Sequence, residues 1–86
     1  MKLRPTKIVA VGLNYKDHIK EMAMAAPKEP LLFIKPPSAL IYNNDLIKYP
    51  PQTQDLQYEA ELAVIIKDRI RSIKPEEAAE HIWGFT

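Results

Sequence analysis

Cysteine is absent from the 86 residues, and only two glycines are present. Without thiols, neither a disulfide framework nor a thiolate zinc site can staple the chain. With so little glycine, no Gly-rich phosphate loop can form, and no organic cofactor is suggested. Long hydrophobic runs are missing too. Ile8-Val9-Ala10-Val11-Gly12-Leu13 is too short for the core of a signal peptide, and no small-residue cleavage site follows it. No stretch approaches the ~20 apolar residues that span a bilayer. Charge of one sign is also lacking: 12 basic residues face 11 acidic ones, for a net charge of +1, with no basic stripe. These absences give no reason to expect nucleic acid or a membrane as partner. A soluble protein of the cytoplasm is expected, the default for a chain that carries no address.

What is present is globular in character, with 47% hydrophobic residues. At this length the chain makes at most one small domain and buries only roughly 60–65% of the surface its unfolded form exposes, so stability is expected to be marginal.

Lys7 to Leu13 reads as a short buried strand, because the β-branched Ile8, Val9 and Val11 stop at Gly12. The period then changes. Asn14 suits a helix N-cap, Asp17 puts negative charge in the first turn, and a helix is predicted from Tyr15 to about Ala25, ended by Pro27. On it His18 and Glu21 lie three residues apart, close enough for the carboxylate to orient the imidazole as a general base. Taken alone, the pair is more simply a surface contact on an amphipathic helix with Ile19 and Met22 facing inward.

After a loop at Ala26 to Pro30, Leu31 to Lys35 forms a second predicted strand that stops at Pro36-Pro37. Lys35 could reach an anionic ligand, although a solvated strand end is the plainer reading. Ser38 to Ile41 is expected to be extended, Asn43-Asn44-Asp45 to turn, and Pro50 to Asp55 to form a loop. Arg69, Arg71 and Lys74 make a basic, solvated connection. Pro75, Glu76 and Glu77 open a second helix that is expected to stop at Gly84, with His81 structural near its end.

The chain is organised around Leu56 to Ile66, whose Tyr, Leu, Val and Ile content predicts a central strand. Alternation in a strand puts Glu59 and Glu61 on one face. Two carboxylates near the dry edge of a sheet need compensation, and their oxygens suit Mg²⁺, Mn²⁺ or Ca²⁺ better than Zn²⁺. On spacing alone, a half-exposed strand carrying two solvated glutamates is the commoner explanation. No later strand is predicted to pair with this one.

Four blocks together resemble the fumarylacetoacetate hydrolase family: Val11-Gly12-Leu13-Asn14-Tyr15-Lys16-Asp17-His18-Ile19-Lys20-Glu21, Phe33-Ile34-Lys35-Pro36-Pro37-Ser38-Ala39-Leu40, Tyr58-Glu59-Ala60-Glu61-Leu62-Ala63-Val64-Ile65 and Trp83-Gly84-Phe85-Thr86. Each block is weak by itself, but the order and spacing are those of the family. The resemblance implies an α+β fold, part of a mixed β-sandwich roll with short strands and two short helices, usually dimeric. It implies a divalent-metal-dependent hydrolase, decarboxylase or isomerase acting on small 2-oxo acids. Glu59 and Glu61 match the E-x-E pair that holds Mg²⁺ or Mn²⁺, and His18 and Glu21 match an H-x-x-E dyad that activates water or shuttles protons.

The same resemblance implies that residues 1–86 are the N-terminal portion of a single catalytic domain, stopping before the aspartate that is the family's third metal ligand. Two readings follow. One is an enzyme completed by further chain, as a homodimer or with a complementing chain. The other is a non-catalytic remnant that binds a cation weakly or merely self-associates through open strand edges. The chain by itself is expected to show little or no catalysis.

Overall fold

Prolines and β-branched residues define the first pair of strands. Strand β1 (Ile8–Gly12) pairs antiparallel with β2 (Leu31–Lys35), and β2 lies between Pro30 and Pro36, which cannot extend a ladder. The computed structural model describes residues 2–15, 17, 20 and 28–86. The chain divides into two units, Met1–Lys48 and Tyr49–Thr86.

In the first unit, the register matches Ile8 with Lys35, Val9 with Ile34, Ala10 with Phe33, Val11 with Leu32 and Gly12 with Leu31. Alternation therefore places Val9, Val11, Leu32 and Ile34 on one face of the hairpin. Ile8, Ala10, Gly12, Leu31, Phe33 and Lys35 occupy the other. Gly12 is needed there for space: a Cβ at that position would meet Leu31 Cδ2 at 3.2 Å and Phe33 Cε1 at 3.6 Å. Just past β1 the backbone turns through Leu13, at φ 53°. Most of the helix predicted for residues 15–25 lies outside the described residues; Asp17 and Lys20 within it are helical.

Beyond β2, the segment expected to be extended instead begins with a 3-10 turn over Pro37–Ala39, with Ala39 N–H donating to the Pro36 carbonyl at 2.9 Å. Proline at the first helical position has its φ already set for that turn, and Leu40 just after it is extended, as expected. The turn predicted at Asn43-Asn44-Asp45 is present. Tyr42 N–H donates to Asp45 Oδ2 at 2.8 Å, and Asp45 N–H returns to the Tyr42 carbonyl at 2.9 Å. Tyr42 Oη in turn donates to the Leu3 carbonyl, fastening the segment before β1.

In the second unit, the predicted eleven-residue central strand shrinks to β3 (Val64–Ile66). Its partner is β4 (Ile82–Phe85), antiparallel, so the expectation that no later strand pairs with it is overturned. Val64 faces Phe85 and Ile65 faces Gly84, but Ile66 faces Ile82, a bulge that skips Trp83. The second predicted helix is a 3-10 helix, Pro75–His81, rather than one running to Gly84. Its start is as expected: Glu77 N–H donates to the Lys74 carbonyl at 2.9 Å, and the Glu77 carboxylate accepts from Lys74 N–H at 3.4 Å. Its end differs because Ile82, Trp83 and Phe85 favour a strand.

Two small antiparallel sheets with short helical segments make this an α+β chain. None of the described residues is buried, and large apolar side chains stand exposed in both units. The marginal core expected for a chain of this length is thus not closed by the described residues themselves. Among the described residues, no helix is long and apolar enough to cross a membrane.

Candidate metal and proton-transfer site

Glu59 and Glu61 lie in the segment that leads into β3, not on the strand. That segment is held at both ends. Upstream, Leu56 N–H donates to Tyr49 Oη at 3.4 Å, Gln57 Nε2 donates to Asp55 Oδ2 at 3.1 Å, and Asp55 N–H donates to Thr53 Oγ1 at 3.1 Å. Downstream, Ala63 and Thr86 exchange backbone hydrogen bonds of 2.8 and 3.0 Å, which extends the hairpin one pair beyond β3. The acidic pair therefore sits between two fixed points. Both glutamates are exposed, and Tyr58 beside them is 93% exposed.

A short ladder explains why the predicted strand ends early. β4 has four residues, and with Thr86 it offers partners only as far back as Ala63. A strand is stable only where a neighbour takes up its backbone groups, and the β3–β4 ladder runs over Val64–Ile66 with one further backbone pair at Ala63.

As donors, the two carboxylates suit a hard divalent cation. In number they are only part of a shell, since Mg²⁺ and Mn²⁺ take about six oxygens. Among the described residues, no group of three or more His, Asp or Glu side chains comes together to hold a metal. The donor chemistry fits and the donor set is partial.

Lys35 ends β2, opposite Ile8, with its side chain exposed in the first unit. Glu59 and Glu61 belong to the second. His18 and Glu21 lie outside the described residues.

One polar pair escapes the sequence reading. His81 Nδ1 lies 2.7 Å from Asp68 Oδ1, while Lys67 N–H donates to the His81 carbonyl at 2.9 Å. Together they close the connection that leaves β3 and returns to β4, a structural task for His81 as expected. No local signal marks the pair, because thirteen residues separate its members.

Comparison with known proteins places these features in context. Residues 7–86 match the family described as Fumarylacetoacetate (FAA) hydrolase C-terminal. An uncharacterized protein of Methanocaldococcus jannaschii is 47% identical over 85 residues, covering 99% of this chain and 36% of its own length. One of Archaeoglobus fulgidus is 48% identical over 82 residues, covering 95% of this chain and 33% of its own. The human protein named oxaloacetate tautomerase FAHD2A, mitochondrial, is 45% identical over 83 residues, covering 96% of this chain and 26% of its own. The chain thus spans about a third of the length of these archaeal relatives and a quarter of the human one. No solved structure matches it. Enzymes of the matched family are generally divalent-metal dependent. With the match running from Lys7 to the last residue, the chain belongs to the fumarylacetoacetate hydrolase family.

Proposed function

We propose that this chain contributes the acidic pair and the proton-transfer dyad of a divalent-metal-dependent enzyme acting on small 2-oxo acids, with keto–enol isomerisation as its reaction. The observation that carries this reading is the 45% identity, over 96% of the chain, to a human protein named as an oxaloacetate tautomerase. In the same reading residues 1–86 are the N-terminal portion of a mixed β-sandwich roll, and the compartment is the cytoplasm, unlike that of the human relative named as mitochondrial.

Tautomerisation moves one proton from the carbon beside the keto group to the keto oxygen; the C=O bond becomes single, the adjacent C–C bond becomes double, and no bond between heavy atoms is made or broken. His18 is the group assigned to take and return that proton, and Glu21, three residues on, orients its ring and stabilises the imidazolium. Glu59 and Glu61 hold Mg²⁺ or Mn²⁺, which when bound offsets the negative charge that develops on the oxygen. Lys35 is assigned to pair with a carboxylate of the substrate. C–C hydrolysis and decarboxylation need the same charge stabilisation, and the choice among the three rests on the relatives' names.

The test places this chain in the Methanocaldococcus jannaschii relative, in place of its matched segment, and follows enol–keto conversion of oxaloacetate by ultraviolet absorbance with Mg²⁺ or Mn²⁺. A rate no higher than with metal alone removes the isomerase reading. Activity that survives Glu59→Ala or Glu61→Ala removes the acidic pair from the site.

A second reading is a chain that binds a cation loosely and does not turn over. It is favoured by the exposure of both glutamates and the lack of a three-donor cluster among the described residues. It predicts that the 86-residue chain alone binds Mn²⁺ weakly, and that the substituted relative is no faster than the metal-only control.

A further inference from the structure

One face of the β1–β2 hairpin is aliphatic from end to end. Val9, Val11, Leu32 and Ile34 share it by register, and no polar side chain interrupts them. Val9 is 54% exposed, Leu32 60% and Ile34 72%, while Val11 is partly covered. The opposite face is mixed: it carries the charged Lys35, its Ile8, Ala10 and Gly12 are partly covered, and its Leu31 and Phe33 are exposed. Strands with β-branched residues on an exposed face are built to have that face covered.

We propose that the Val9, Val11, Leu32 and Ile34 face is the docking surface for the part of the family fold that this chain does not span, and not for a second copy of the chain. Size is the first argument. The patch is four side chains, whereas a stable pairwise interface takes about 20–30 residues a side. It is thus too small to hold a symmetric dimer by itself, but suited to one side of a larger core. Length is the second. The chain covers 36% of a relative with which it is 47% identical, so the other two thirds of that fold is the surface against which such a hairpin is shaped. Chemistry is the third: with no charge or hydrogen-bonding side chain on the face, the occupant must be apolar where it touches. This inference rests on family membership and on exposure, not on the proposed reaction.

The test co-expresses the tagged 86-residue chain with a form of the Methanocaldococcus jannaschii relative that lacks the 85 matched residues. A one-to-one complex is expected, with recovery reduced at least tenfold by Ile34→Lys and unchanged by Glu76→Lys. Two outcomes overturn the proposal: equal recovery with Ile34→Lys, or a dimer of the chain alone, seen by sedimentation, that Ile34→Lys splits into monomers. To keep a poorly folding partner from deciding the result, the same lysine is also placed in the relative whose matched segment has been replaced by this chain. There Leu32→Lys and Ile34→Lys are each expected to lower the thermal midpoint by roughly 10 °C, as a charge forced into a core does. A shift under about 2 °C, the size typical of a surface change, overturns the proposal.

Discussion

The two hairpins solve the same problem with different margins. β1 and β2 pair over five residues each without interruption, whereas β3 and β4 pair over three and four with a bulge between Ile65 and Ile66. In the first, a glycine admits a neighbouring side chain. In the second, Gly84 has nothing within 4 Å of where a Cβ would stand. A regular ladder tolerates little change at its close contacts, while a short bulged one leaves room and depends on tethers outside the ladder.

The sharpest way to break this contrast is to add the same side chain to both glycines. Gly12→Val is expected to destabilise the first hairpin by about 1–3 kcal/mol through crowding against Leu31 and Phe33. Gly84→Val is expected to be neutral or mildly stabilising in the second. Amide exchange at Val11 and Leu32 against that at Ile65 reads both. Equal effects would remove the distinction.

Next in size is Tyr42→Phe, which removes the hydroxyl bonded to the Leu3 carbonyl and should cost about 1 kcal/mol in the first unit. Faster proteolysis of the segment before β1, with the second unit unaffected, is the expected readout.

Relief of backbone strain sharpens the comparison further. Leu13 and Ser72 both sit at φ 53°, one in each unit. Ser72→Gly should stabilise by about 0.5–1 kcal/mol. Leu13→Gly should gain less, because it also forfeits a partly covered leucine. Chemical denaturation of the two variants side by side ranks them.

Smallest is Asp68→Asn. The hydrogen-bonded pair with His81 leaves the aspartate side chain 50% exposed, so its loss should cost no more than about 0.5 kcal/mol. Where the His81 ring is protonated, the effect should vanish in 1 M salt, because exposed charge pairs are screened. A salt-independent loss would assign the pair a packing role instead.

The sequence was most readable where composition and punctuation agree. Leu31 to Lys35 is bounded by prolines, and its limits in the structure are the predicted ones. β1 was legible from its β-branched residues, to within a residue at each end. The central strand was overextended because Tyr58 and Leu62 have strand propensity, and propensity does not supply a partner. β4 was missed for the opposite reason: Pro75, Glu76 and Glu77 are true start signals, but they say nothing about where a helix stops. Ile82, Trp83 and Phe85 contained that information, and Gly84 was misread as a cap. As for the candidate site, the shared face read for Glu59 and Glu61 rested on a strand that begins only at Val64, and the tethers of their segment were not legible. The bonds of Leu56 to Tyr49 and of Ala63 to Thr86 join residues well apart in sequence, where no periodicity reaches.

The Ala63–Thr86 pair has a geometric corollary. Antiparallel strands run as two rulers laid head to tail, and this pair pins the residue two places after Glu61 against the residue that follows β4. The acidic segment and the end of β4 therefore share one anchor, and a pull on either strand is felt by the other.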